Sequence, residues 1–211
     1  MPTIEQARDW YGDRDPVHGF DHVLRVLKLA QRIGSELGAD AGILQAAALL
    51  HDVTDAAPGE GGGRANHEIT SAAFAGEVLR EEGWSEARIE AVQHCIRAHR
   101  FRSSEAPQTL EARVLFDADK LDVVGAFGVS RTLGYAQQAG EPPFAEPSPR
   151  FLESGEREPA EAHSAYHEYL FKLRNVADRL YTEPARRIAA RRFKILEAFF
   201  EQLAAEARGE A

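Results

Sequence analysis

The 211-residue sequence contains one cysteine, Cys95. A lone thiol excludes an internal disulfide and any zinc site built on several cysteines. With nothing pointing to secretion, a reducing cytoplasm is the expected compartment. Long hydrophobic runs are also missing. No stretch approaches the roughly 18 apolar residues that span a bilayer, and the N-terminal stretch from Met1 to Arg8 lacks the apolar core of a signal peptide. Positive charge is in deficit, with 25 Lys and Arg against 34 Asp and Glu, a formal net charge of −9. Nucleic acids and anionic membranes are bound chiefly through positive charge, so neither is an expected partner. An anionic small molecule stays open, because a site is built from local charges. Alternating strand patterns and internal repeats are absent too.

What remains is helical. The chain is 44% hydrophobic and 28% charged, ordinary for a globular protein and long enough for one unstapled core. Thr3 with Gln6 forms a capping box for a helix from Ile4 to Tyr11, stopped by Gly12. Asp15-Pro16 opens a second segment, in which Val23, Val26, Leu27, Ala30, Ile33 and Leu37 recur at helical spacing before Gly38. Asp40 caps a third helix, Ala41 to about His51, apolar nearly all round and therefore central. Asp55 to Asn66, rich in glycine, reads as a loop. Asn66 is expected to cap a fourth helix with Ile69, Ala73, Phe74 and Val78 inward, and Ser85 a fifth with Ile89, Val92, Ile96 and His99 on one stripe. Thr109 starts a long helix carrying Leu110, Val114, Leu115, Ala118 and Leu121, with Gly125, Gly128 and Gly134 farther along. Gly140 to Pro159 reads as a long loop. One helix is expected from about Ala160 to Tyr181, and another, capped by Thr182 with Pro184 in its first turn, to about Ala207. The expectation is a single all-α domain, a helical bundle with its core at about 15–135 and a C-terminal helical extension at about 160–207.

Histidines and aspartates carry the chemistry. His51 and Asp52 end the most apolar helix. Two adjacent ionisable groups there need either solvent or a compensating partner, and imidazole with carboxylate suits a divalent transition metal. A helix C-terminus at the surface is the other reading. His18 and His22 are four apart, so they share a face if the helix starts early enough, with Arg25 one turn on. Asp119 and Asp122 lie three apart at the edge of the Leu115 and Ala118 stripe, while Asp117 points elsewhere.

The ordered set of His22, His51-Asp52 and Asp119 resembles the H…HD…D pattern of the HD-domain metal-dependent phosphohydrolases. The stretch from His18 to Val26 is similar to that family's first-ligand helix, and Ala-Leu-Leu-His51-Asp52-Val-Thr-Asp55 to its central motif. The segments beginning at His167 and at Thr182 resemble a bacterial subgroup of small stand-alone HD hydrolases. The resemblance covers nearly the whole chain.

It implies an HD-type bundle in which His22, His51, Asp52 and Asp119 hold one divalent ion, with Mn favoured over Co, Fe, Ni, Mg or Zn. Such an ion lowers the pKa of water and polarises phosphorus. Asp55 is the candidate general base, and Arg25 the candidate for gripping phosphate oxygens. His18, His67, His99, Lys120 and Lys172 are candidate substrate contacts, with His67 and His99 also open to a second metal. His99 is expected to face inward and His94 outward. His163 and His167 lie four apart, with Lys172 following, and His167 and Lys172 either close the pocket or lie on a helix surface. The implied reaction is hydrolysis of (deoxy)nucleoside triphosphates. A nucleoside monophosphatase and a non-catalytic nucleotide-sensing module are the alternatives, and a monomer or a homodimer is compatible with the surface.

Overall fold

The computed structural model describes residues 1–12, 19–54, 66–101 and 105–211. Among these residues there are ten α-helices, two 3₁₀ turns and no strand, as an all-α reading requires. The chain divides into two compact units: Met1–Asp119 with Tyr181–Ala185, and Lys120–Leu180 with Arg186–Ala211.

The first unit opens with α1 (Ile4–Tyr11), whose Thr3–Gln6 capping box is formed in both directions. The second helix, α2 (Phe20–Leu37), stops at Gly38 in the left-handed conformation. The Asp40 carboxylate then caps α3 (Ala41–Leu50) by accepting the N–H groups of Gly42 at 2.9 Å and Ile43 at 3.0 Å. Ala46 through Leu50 are fully buried, and α3 packs on α2 as the central element. Their approach is close: a Cβ at Gly34 would fall 2.2 Å from Leu44 Cδ1.

The fourth helix, α4 (His67–Glu81), departs from expectation on two counts. Asn66 occupies the cap position, yet it adopts a left-handed φ of 70° and its side chain makes no cap hydrogen bond. The inward face is also different. Ile69 is 54% exposed, and the buried residues are His67, Glu68, Ser71, Ala72, Ala75, Gly76 and Leu79. Small side chains win this face because α5 (Glu86–Arg97) lies against it, and the large apolar residues that dominate a hydrophobicity pattern do not fit there. His99 lies just beyond the end of α5 and is buried, as expected, whereas His94 is half-buried against Glu105.

The expected long helix after Thr109 is two. The first, α6 (Leu110–Leu121), ends before a turn in which Gly125 takes φ 80°, and α7 (Ala126–Gln138) follows. A residue with a side chain is strained at that φ, so the break falls at glycine. Asp117, expected to point elsewhere than Asp119 and Asp122, does so and is fully buried. It accepts the backbone N–H of Tyr181 at 2.8 Å and both the N–H and the hydroxyl of Thr182 at 2.7 Å. The returning chain is thereby tied into the first unit.

The second unit holds α7, the short α8 (Pro149–Ser154) inside the expected loop, α9 (Ala165–Phe171), two 3₁₀ turns at Leu173–Asn175 and Ala177–Arg179, and most of α10 (Glu183–Arg208). The helix expected from Ala160 to Tyr181 is therefore one short helix followed by tight turns. Ser164 stops it from starting earlier, because its hydroxyl caps α9.

Glu161 organises this region. It accepts hydrogen bonds from the Ser148 N–H and hydroxyl, each at 2.7 Å, and from the Glu158 N–H at 2.7 Å. Its Oε1 also lies 3.0 Å from His167 Nε2, and Ser164 Oγ is 2.7 Å from the other ring nitrogen. Burial alone raises a carboxyl pKa, but these donors outweigh it and hold Glu161 down at about 2. A depressed carboxyl stabilises the folded state above its unfolded pKa of about 4.3, and the contribution is lost as pH falls towards 2. Glu161→Gln is therefore expected to lower the melting temperature at pH 7 and to flatten its decline between pH 4 and pH 2. Thermal melts across that range check this; parallel acid limbs in the two proteins would refute it.

Candidate metal centre

Two histidines are set by the same local device. His51 follows α3 directly, and its Nδ1 lies 2.9 Å from the carbonyl of Ala48, three residues back. His99 follows α5, with Nδ1 2.6 Å from the carbonyl of Ile96, again three residues back. A carbonyl only accepts, so each Nδ1 carries the proton and each Nε2 presents a lone pair. The two rings meet edge to face, 5.2 Å apart.

Those lone pairs converge on Asp52. Its Oδ2 is 3.5 Å from His51 Nε2 and 3.7 Å from His22 Nε2. Its Oδ1 is 3.2 Å from His67 Nε2 and 3.3 Å from His99 Nε2. His22 Nε2 also lies 3.4 Å from His51 Nε2 and 3.2 Å from Asp119 Oδ1. Four elements supply these groups: His22 from the first turn of α2, His51 and Asp52 after α3, His67 from the start of α4, and His99 after α5. Asp119, near the end of α6, joins at His22. Two sets of ligand atoms lie within 4.8 Å of one another, His22–His51–Asp52 and Asp52–His67–His99.

The charges are tuned to match. Burial pushes the fully enclosed His51 down to about 4, so it is neutral at pH 7 and its lone pair is available without proton loss. Burial by itself would raise Asp52, but protons shared with the His51, His67 and His99 rings around it outweigh that and hold the carboxyl well below the usual range. Four imidazole Nε2 atoms gathered around one buried carboxylate suit a divalent cation, which imidazole nitrogen and carboxylate oxygen can both ligate.

The other sequence candidates are distributed differently. Arg25 is half-buried one turn beyond His22 on α2. His18 and Asp55 lie outside the described residues. The expectation that His18 and His22 share a helix face therefore also lies outside the described residues. Lys120 and Lys172 belong to the second unit, where Lys120 is buried and Lys172 pairs with Glu168 at 2.5 Å. His163 pairs with Glu141, and His167 is enclosed between Ser164 and Glu161.

Some neighbours of the centre had no signal in the sequence. Glu68 lies 3.9 Å from His67 Nδ1 and pairs with Arg100 at 2.8 Å. Burial opposes its ionisation, and the Arg100 guanidinium lowers its pKa nonetheless. Tyr11 accepts the backbone N–H of Asp52 at 3.3 Å, and Ser71 accepts that of Thr54 at 3.2 Å.

The sequence profile of the HD domain matches residues 19–124, a span that contains all of His22, His51, Asp52 and Asp119. The chain belongs to the HD-domain family. It is thus a metal-dependent phosphohydrolase of the HD type. The uncharacterised protein YpgQ of Bacillus subtilis (strain 168) is 28% identical over 211 residues, spanning 96% of this chain and 93% of YpgQ. The crystal structure of that YpgQ in complex with ADP superposes with a TM-score of 0.73 at 27% identity, covering 99% of this chain and 100% of the other. A structure from an uncultured Thermotogales bacterium, named as an HD-superfamily hydrolase, gives a TM-score of 0.65 at 25% identity, covering 96% of this HD protein and 90% of the other chain. No helix among the described residues is long and apolar enough to cross a membrane.

Proposed function

We propose that this HD protein hydrolyses (deoxy)nucleoside triphosphates in the cytoplasm, releasing pyrophosphate and a nucleoside monophosphate. His22, His51, Asp52 and Asp119 would hold one divalent ion, with Mn²⁺ or Co²⁺ the best-suited support. The observation that carries this reading is the convergence of the His22 and His51 Nε2 atoms on Asp52 Oδ2, with Asp119 Oδ1 3.2 Å from His22. When bound, the cation supplies Lewis acidity towards a phosphoryl oxygen and makes water a better nucleophile near neutral pH.

The chain's own groups do the rest. His51 and His99 keep their Nδ1 protons on main-chain carbonyls, so neither ring turns to compete for water. Asp52 stays ionised in the low-dielectric interior because imidazoles surround it. Asp55, three residues on, takes the proton from the attacking water. Arg25, one turn from His22, presents a guanidinium that matches phosphate oxygens in a bidentate manner. Lys120 and Lys172 are further cations for a polyphosphate, and His18 is a further donor. YpgQ, solved with ADP, supports a nucleotide as the ligand class.

A second reading is favoured by one observation. Asp52 Oδ1 faces His67 and His99 as closely as Oδ2 faces the first pair. A second cation position at Asp52, His67 and His99 accounts for that symmetry, in place of substrate contacts by the two histidines.

Product analysis tests the reaction. With Mn²⁺ and a deoxynucleoside triphosphate, chromatography is expected to show pyrophosphate and the monophosphate in equal amounts. Activity confined to nucleoside monophosphates, yielding orthophosphate and nucleoside, would show a monophosphatase instead.

A further inference from the structure

The family match begins at residue 19, so α1 lies outside it, yet α1 reaches the centre. In a continuing helix the Ala48 carbonyl would accept the N–H of Asp52. Here that carbonyl is engaged by His51 Nδ1 at 2.9 Å, and the Asp52 N–H donates to the phenol oxygen of Tyr11 at 3.3 Å. Tyr11 is 3% exposed, and its ring lies 5.4 Å from that of Phe20, the first residue of α2.

The other side of the same turn is held in the same manner. Ser71 of α4, fully buried, accepts the Thr54 N–H at 3.2 Å. The Thr54 hydroxyl lies 2.9 Å from Ser71 Oγ and donates to the carbonyl of His67 at 3.2 Å. The four-residue turn 51–54 is thus held by the Tyr11 hydroxyl from α1 on one side and, on the other, by the Ser71 and Thr70 hydroxyls of α4, of which Ser71 alone takes a backbone N–H of the turn. Between these anchors sits the carboxylate whose two oxygens face two pairs of histidines. A small rotation of this turn would carry Oδ1 towards one pair and Oδ2 away from the other.

We infer that Tyr11 and Ser71 are positioning residues for the metal centre, acting through the backbone of the 51–54 turn to aim the Asp52 carboxylate. The inference rests on the reading of Asp52 as a ligand. Partners behind a ligand that orient it are typically worth about 10–100-fold in metal affinity. Tyr11→Phe removes one oxygen and leaves the ring on Phe20, and Ser71→Ala removes one oxygen from the opposite side.

Calorimetric titration of the metal-free full-length variants with Mn²⁺ tests this. Each variant is expected to bind the wild-type number of ions with an affinity lower by about tenfold or more. Melting temperatures of the metal-free proteins should fall by no more than about 4 °C, the size of one lost hydrogen bond. At saturating Mn²⁺ turnover should return towards the wild-type value, because the ligands themselves are intact. Thr54→Ser, which keeps its hydroxyl, should bind Mn²⁺ as the wild type does, and Thr54→Val should not. Asp52→Ala is the control. If it has lost Mn²⁺ while Tyr11→Phe and Ser71→Ala bind within about twofold of the wild type, the positioning role is wrong. If Asp52→Ala itself binds Mn²⁺ normally, the ligand assignment fails instead.

Discussion

Asp52→Ala is expected to leave the protein without its divalent cation and to lower turnover by about 10³-fold or more. Among the described residues, no other side chain of the centre faces so many ligand atoms. Its Oδ2 faces His22 and His51, and its Oδ1 faces His67 and His99. Removing it deletes the carboxylate shared by both donor sets at once and leaves only the imidazoles and Asp119. A metal in such a site contributes several kcal/mol of transition-state stabilisation, and each 1.4 kcal/mol is about tenfold in rate. Elemental analysis and a phosphate-release assay on the same preparation check both parts, with far-UV circular dichroism confirming the helical fold. Stoichiometric metal with undiminished turnover would overturn the role given to Asp52.

The second large effect separates proton handling from metal binding. Asp55→Asn should retain the metal and lower kcat by about 10²–10⁴-fold, the usual worth of a general base. Asparagine keeps the size of the side chain but cannot take a proton from water. The pH–rate profile discriminates further. A base must be ionised to act, so wild-type kcat should fall on the acid side as Asp55 protonates, and the variant should lose that limb. A variant with wild-type kcat and an unchanged profile would remove Asp55 from the reaction.

Much of the centre was legible because its members are chemically conspicuous. His51 and Asp52 end a helix that is otherwise apolar, and that contrast alone asked for an explanation. The inward placement of His99 followed from its spacing to Val92. Tyr11, Ser71 and Thr54 left no comparable trace. A tyrosine at the end of an amphipathic helix and a serine in the middle of one are commonplace, and their role arises only when three elements meet. What Asp117 does instead was out of reach for the same reason: its partners, Tyr181 and Thr182, are more than sixty residues away.

The misread helices have simpler causes. Hydrophobic patterning weights Ile69 and Phe74 over Ala72, Ala75 and Gly76, yet close packing on α5 requires the small face of α4. The run from Ala160 to Tyr181 is rich enough in helix formers to suggest continuity. Ser164 resets the start of α9 by capping it, and the run breaks into tight turns after Phe171.

The paired devices at His51 and His99 bear on how this centre tolerates change. In each case the group that orients the ring is a peptide carbonyl three positions back. Every amino acid carries that carbonyl, so no replacement at Ala48 or Ile96 removes the acceptor itself. Point substitutions along α3 and α5 can therefore accumulate, within the limits of packing, without turning either imidazole. Insertions and deletions are another matter. One residue added or lost within a helix before the histidine rotates it by about 100° around the axis, carrying His99 away from Asp52, or His51 and Asp52 together away from His22 and His67, with the orienting carbonyl still in register. The orientation of these donors is thus written in helix length and phase more than in side-chain identity, and lineages can drift in sequence here while the spacing stays constant.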